Sequence, residues 1–149
     1  MAGALKKGYW KSVTTTPKWF SWSGYAFETI CYKHLNQISD VLDLSPTAIP
    51  NSWRYAPGPE KEGAQIDLLF DRDDDSITLC EIKFTKKAFE ITSDYAKKLK
   101  RKVAVFKQVT GTQKQLFVAI ISAKGLKKNK YATELIDQIV VLDDLFTEA

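Results

Sequence analysis

The sequence predicts a mixed α/β fold, because segments with helical and strand periodicity alternate along a chain of 149 residues. Two predicted strands, 64–71 and 77–84, flank a turn rich in Asp with one Ser, residue types that favour turn geometry. Apolar residues recur at helical spacing over 23–40 and again from 93 to about 111. An apolar, β-branched run at 116–122 is typical of a buried strand. These segments predict helices packed against a sheet.

The remaining elements fit the same architecture. A first strand is predicted at 48–55, near a sheet edge because Pro50 cannot donate a ladder hydrogen bond. A short helical piece near Glu134 precedes a final strand at 139–142. The length suits a single core, so we predict one domain at 22–149, preceded by an arm or linker at 1–21.

Composition limits the possible partners. No apolar run approaches the roughly 20 residues that span a bilayer, and the N-terminus lacks the apolar region of a secretory signal. We therefore expect a soluble, cytoplasmic protein with no membrane partner. Cys31 and Cys80 lie far apart without a companion motif, so we predict two buried, reduced thiols and neither a zinc site nor a disulfide.

The net charge of +4 is unevenly distributed. Between residues 86 and 114, nine Lys or Arg stand against two acidic residues. Such a band can neutralise nucleic-acid phosphates. The alternative is the solvated face of a helix, which is the commoner role for such charges. The candidate nucleic-acid contacts are Lys86, Lys98, Arg101 and Lys102.

Charged side chains also occur on the two central strands. Strand alternation predicts that Gln65, Asp67, Leu69 and Asp71 share one side of the first strand. Glu81 and Lys83 share one side of the second strand by the same rule. Two carboxylates can hold Mg²⁺, a cation that needs one or two of them besides water and a phosphate. The alternative is a cross-strand ion-pair cluster worth about 1 kcal/mol or less.

The residues Ile66-Asp67 and Glu81-Ile82-Lys83 resemble the signature of the PD-(D/E)xK nuclease superfamily. Ile66 stands where that signature has proline. The chain is more closely similar to a nuclease-like domain at the C-terminus of some bacterial and archaeal P-loop ATPases. That likeness covers most of the chain and is carried by Trp22-Ser-Gly-Tyr-Ala-Phe-Glu28, Ser52-Trp53-Arg54, Gly63-Ala-Gln-Ile-Asp67, Cys80-Glu-Ile-Lys-Phe84 and Leu142-Asp-Asp-Leu-Phe146.

The resemblance implies a restriction-endonuclease-like αβββαβ core that hydrolyses DNA with Mg²⁺, for which Mn²⁺ can substitute. It implies Asp67, Glu81 and the carbonyl of Ile82 as metal ligands, with Lys83 positioning the attacking water. Glu28 matches an acidic residue of the first helix that supports the metal site in the superfamily. An ordinary first-turn Glu is an equal alternative for this residue. Gln65 is a candidate contact to the substrate.

Three functions stay open at this stage. The first is a metal-dependent DNA endonuclease, and the resemblance implies that such an enzyme forms a homodimer in many cases. The second is a catalytically silent module that positions DNA beside an ATPase in a longer chain. The third is a protein-interaction or regulatory domain with neither activity. Cleavage, binding without cleavage, and absence of DNA binding at low salt discriminate among them.

Overall fold

The structure, a computed structural model, describes the backbone of residues 17–146 and the side chains of residues 24–146. Five strands form one sheet in the order β1-β2-β3-β4-β5. The β1/β2 and β2/β3 pairs are antiparallel, and the β3/β4 and β4/β5 pairs are parallel. The strands are β1 (Ile49–Tyr55), β2 (Ala64–Asp71), β3 (Ser76–Lys83), β4 (Gln115–Ser122) and β5 (Gln138–Val141).

Helices cover the sheet and connect its parallel strands. They are α1 (Pro17–Lys33), α2 (Leu35–Val41), α3 (Ser93–Thr110), α4 (Lys130–Leu135) and a 3-10 helix (Leu142–Phe146). The longest crossover is α3, which joins the parallel strands β3 and β4. Its start is capped by Thr92, whose side chain accepts from the Tyr95 N–H, and it ends at Gly111 in the left-handed region. The predicted mixed α/β architecture is confirmed at this level.

The two faces of the sheet carry separate apolar clusters. On one face, residues of α1 and α2 such as Phe27 and Ile38 pack with Leu68, Phe70 and Cys80. On the other face, the α3 residue Phe106 packs with a cluster that includes Ile66, Leu69, Ile77 and Leu79. Since alternate residues of β3 point to opposite faces, Glu81 and Lys83 follow Leu79 toward α3.

The predicted continuous helix over 23–40 is wrong in two respects. The first helix begins at Pro17, so residues 17–21 of the predicted arm are helical. The helix also ends at Lys33, because His34 leaves helical geometry with φ −124° and ψ 37° before α2 begins. The ring nitrogen Nδ1 of the half-buried His34 lies 2.8 Å from the Ile30 carbonyl oxygen. Residues 1–16 of the arm lie outside the described part of the chain.

A β-bulge interrupts β2 at the proposed site. Asn51 of β1 pairs with Leu69, whereas Trp53 pairs with Ile66, so two residues of β2 stand opposite one residue of β1. One of those two is Asp67. A bulge inserts one extra residue, bends the strand and changes the direction of its side chains.

The bulge invalidates the predicted alternation along β2. Ile66 and Leu69 both pack on the α3 face, whereas Leu68 and Phe70 pack on the face of α1 and α2. Gln65 and Leu69 therefore do not share a face by the simple period of two. The sequence gives no local signal of this irregularity, since neither Gly nor Pro occurs in β2.

Two further expectations concern the cysteines and the membrane. Cys31 and Cys80 are both free and both buried, as predicted. Among the helices of the described region, none is apolar over a length that reaches across a bilayer.

Candidate active site

A cavity of about 400 Å³ opens between α3, the start of β2 and the end of β3. Most of its lining side chains are charged or polar. The wall contributed by β3 carries Glu81 and Lys83, and the wall contributed by α3 carries Tyr95, Lys98, Arg101 and Lys102. The period of strand β3 thus brings the two predicted catalytic residues of that strand to one cavity.

Glu81 is the buried acid of this cavity, with 2% of its surface exposed. Its Oε1 accepts from Lys102 Nζ at 2.5 Å, whereas its Oε2 is buried without a hydrogen-bond partner among the described residues. Burial raises the pKa of Glu81, Lys102 lowers it, and the charge of Asp67 raises it further. A buried carboxylate oxygen without a partner is costly unless something else binds it.

Asp67 lies where β2 separates from β3. The paired register of these strands ends at Leu68 and Cys80. Beyond that point, Asp67 Oδ2 accepts from the Ile82 N–H at 3.1 Å, so a side chain replaces a ladder carbonyl. The N–H and C=O groups of one strand residue point to the same side, so the Ile82 carbonyl also faces Asp67. The bulge therefore turns the Asp67 carboxylate toward the end of β3.

Lys83 is held by aromatic rings and forms no ion pair within residues 24–146. Its Nζ lies 4.8 Å from the ring centroid of Tyr95 and 5.7 Å from that of Phe89. Both distances lie within the range of about 6 Å for cation–π attraction. The ammonium group is thus positioned without being neutralised, and it lowers the pKa of neighbouring Glu81.

Tyr95 is a site residue that sequence reasoning missed. It lies within the predicted helix that begins at residue 93, and it lines the cavity and packs under Lys83. Its buried hydroxyl forms no hydrogen bond of ordinary geometry within residues 24–146. Burial, the charges of Glu81 and Asp67 and a side-chain interaction with Glu81 raise the pKa of Tyr95. Tyr95 Oη and the Glu81 carboxyl group are therefore close neighbours in the cavity.

Glu28 reaches the site only through a second missed residue, Tyr32. The Tyr32 hydroxyl donates to the Asp67 carbonyl oxygen at 2.6 Å and lies 3.1 Å from Glu28 Oε1. Burial and the Glu28 hydrogen bond raise the pKa of Tyr32 to about 12. The four-residue spacing of Glu28 and Tyr32 on one helix face was an available signal.

The predicted nucleic-acid contacts divide into distinct environments. Lys98 and Gln65 are exposed and line the cavity. Arg101 donates to the carbonyls of Gly63 and Glu62 at 3.1 and 2.9 Å, and therefore holds the loop before β2. Lys102 is paired with Glu81. The fifth candidate, Lys86, is exposed and is not part of the cavity lining.

The residues around the end of β3 carry oxygen donors of the kind that a divalent cation binds. No group of three or more His, Cys, Asp or Glu side chains that could hold a metal occurs within the part of the chain that the structure describes. Mg²⁺ needs only one or two protein carboxylates, and it also accepts carbonyl and water oxygens. Asp67, Glu81 and the Ile82 carbonyl are donors of this chemistry, and Glu81 lines the cavity whereas Asp67 and Ile82 do not.

The chain was also compared with known proteins. No protein-family model, no curated protein and no solved structure matches it. The function of the chain is therefore inferred from the cavity and its residues.

Proposed function

We propose that the chain is a metal-dependent nuclease that hydrolyses DNA phosphodiester bonds. The observation that carries the proposal is the buried carboxyl group of Glu81, which is 2% exposed and lies in a cavity lined by Lys and Arg, with an Oε2 atom that forms no hydrogen bond of ordinary geometry within residues 24–146. An acid in such a place is costly for folding, and functional sites are where such costs concentrate. The order of helices and strands and the resemblance of the motif support a restriction-endonuclease-like αβββαβ core.

Each residue has a defined task in this proposal. Asp67, Glu81 and the Ile82 carbonyl would hold Mg²⁺. When bound, this ion supplies positive charge to the phosphate and lowers the pKa of a coordinated water. Lys83 orients the attacking water and favours its deprotonation through the positive charge of Nζ. Tyr95 and Phe89 keep that ammonium group in place, and Lys98 contacts a substrate phosphate.

The test combines cleavage with a matched set of variants. A labelled DNA mixture of single-stranded, duplex and branched forms is incubated with Mg²⁺ or Mn²⁺, and with a chelator as the control. We expect metal-dependent cleavage that is lost in Asp67→Asn, Glu81→Gln and Lys83→Met and kept in Lys128→Gln, which changes an exposed lysine outside the cavity. Absence of cleavage with every DNA form and both metals would refute the proposal.

The ion pair between Lys102 and Glu81 favours a second candidate function. A lysine that occupies Glu81 Oε1 at 2.5 Å competes with a cation for the same carboxylate. The second candidate is therefore a catalytically silent module that binds DNA, of the kind linked to an ATPase within a longer chain. It predicts salt-dependent DNA binding that survives Glu81→Gln without any cleavage. DNA, an ATPase module and a homodimer stay predictions in both cases.

A further inference from the structure

A second cavity continues the proposed active site across the start of β2. It has a volume of about 520 Å³, within the range of about 300–1,000 Å³ typical of ligand pockets. Three residues, Gly63, Ala64 and Gln65, line both cavities. The two cavities are therefore adjoining parts of one groove, which runs from α3 to the loop after β1.

The charge of this groove suits a polyanion. Six basic residues line it, Arg54, Lys61, Lys83, Lys98, Arg101 and Lys102. Among the described residues, two acidic ones, Glu62 and Glu81, line it, and both form ion pairs with basic residues of the same groove. None of the ion pairs formed among residues 24–146 involves Arg54, Lys61, Lys83 or Lys98. Arg54 lies between the stacked Trp53 and Tyr55 on β1, so its side chain points to the other face of the sheet. Lys83 orients water in the proposed function, which leaves Lys61 and Lys98 available to phosphates.

An aromatic residue, Tyr55, lines the second cavity together with Lys61. Tyr55 stacks on Trp53 with a centroid distance of 6.3 Å and an interplanar angle of 11°. Trp53 in turn meets Phe106 edge to face at 5.1 Å, which anchors the stack in the core. Tyr55 lines the second cavity and Trp53 does not, so the cavity lies on the side of Tyr55 away from Trp53.

The close approach of two backbone segments fixes this ring beside the first cavity. A Cβ atom added to Gly63 would lie 2.4 Å from the Tyr55 carbonyl oxygen, a distance that only glycine permits. Arg101 holds the same loop through the Gly63 carbonyl. The close approach of Gly63 to Tyr55 and the Arg101 hydrogen bond thus fix the backbone that separates the two cavities.

We infer that this groove binds an unpaired strand of DNA, with one base stacked on Tyr55 and an adjacent phosphate at Lys61. The inference rests on the proposed function, because it extends the substrate strand beyond Lys98 of the active-site cavity. Unpaired bases present both faces to an aromatic ring, whereas bases within a duplex are covered by their neighbours. A stacking ring in a groove lined by cations therefore selects single-stranded over duplex DNA.

The experiment measures binding apart from cleavage. Fluorescence anisotropy of a labelled oligothymidylate and of a duplex of equal length is recorded with the full chain in a chelating buffer at several salt concentrations. We expect the single strand to bind more tightly. Tyr55→Leu should weaken its binding by about five-fold or more, whereas Tyr55→Phe should retain it. Lys61→Gln should reduce the slope of log K against log salt by roughly 0.7.

Matched controls change the same residue types outside the groove. Tyr25→Leu alters an exposed aromatic ring and Lys128→Gln an exposed lysine, and neither should change binding. Duplex binding as tight as single-strand binding, or wild-type affinity in both Tyr55→Leu and Lys61→Gln, would overturn the inference.

The same variants separate this inference from the proposed function. Metal-dependent cleavage that is unaffected in both Tyr55→Leu and Lys61→Gln would refute the groove and leave the nuclease standing. Single-strand binding that depends on Tyr55, without cleavage by Mg²⁺ or Mn²⁺, would refute the nuclease and leave the groove standing.

Discussion

Lys102→Met should destabilise the fold, because it leaves the buried carboxylate of Glu81 without its ion-pair partner. Lys102 is the nearest compensating charge, since its Nζ lies 2.5 Å from Glu81 Oε1. Removing one partner of a fully buried ion pair costs about 3–5 kcal/mol. The Lys102 side chain is 25% exposed and Lys83 still lies near Glu81, so we expect a loss of about 2–3 kcal/mol at pH 7. For a chain of this size that lowers Tm by roughly 5–10 °C.

The loss should depend on pH in a defined direction. The pKa of Glu81 is raised in the folded state, so the folded state binds more protons than the unfolded state. Stability therefore falls as the pH rises from the unfolded value through the folded pKa. Lys102→Met raises that folded pKa further, which extends the fall to higher pH. Well below pH 4.5, Glu81 is protonated in both states, and the difference from wild type should shrink to about 1 kcal/mol.

Urea denaturation at pH 7 and at pH 3.5 measures both effects. Lys98→Met is the matched control, because Lys98 lies on the same helix in the same cavity without an ion pair among residues 24–146; it should change stability by less than about 0.5 kcal/mol. In a Glu81→Gln background, Lys102→Met should cost little, and the double-mutant cycle isolates the pair. Equal destabilisation at the two pH values, or wild-type stability at pH 7, would refute the assigned cost of the buried carboxylate.

Three further predictions use stability measurements. Mg²⁺ at 100 times its dissociation constant should stabilise the wild type by about 2.7 kcal/mol, and Glu81→Gln should lose most of the accompanying rise in Tm. Gly63→Ala should lower the free energy of unfolding by about 1–3 kcal/mol, because its Cβ would meet the Tyr55 carbonyl oxygen. In the same denaturation assay, Gly24→Ala within α1 should raise it by roughly 0.5–1 kcal/mol. Tyr32→Phe should lose about 0.5–1.5 kcal/mol in urea denaturation, since it removes the hydrogen bond to the bulge of β2.

The strand bounds could be predicted from sequence because their signals are local. Alternation, Pro50 at an edge and the Asp-rich turn place β1, β2 and β3 within about a residue of where they lie. The end of α3 was also predictable, since Gly111 adopts the left-handed region with φ 66°. The break at His34 was not, because its neighbours keep helical spacing on both sides.

The positions of the site residues could be predicted along β3, but neither along the bulged β2 nor between different elements. The period of β3 correctly places Glu81 and Lys83 on one face. The Lys102 partner lies 21 residues further along the chain, and its pairing depends on how α3 packs over the sheet. The basic residues between 86 and 114 are predicted nucleic-acid contacts, whereas the packing of α3 places Lys102 in an internal ion pair. This pairing depends on the distance between α3 and β3 in the fold, which sequence periodicity does not encode.

The energetics of Glu81 indicate a role beyond packing. Its pKa is raised even with Lys102 beside it, so the charged form is less stable in the fold than in water. A well-packed apolar residue at such a position is often as stable as an ion pair or more stable. If the role were structural, Glu81→Leu with Lys102→Met would keep or raise the stability and leave DNA cleavage unchanged. We expect the pair of substitutions to keep stability and abolish cleavage, because a ligand that binds Oε2 offsets the cost of burying the acid in the functional state.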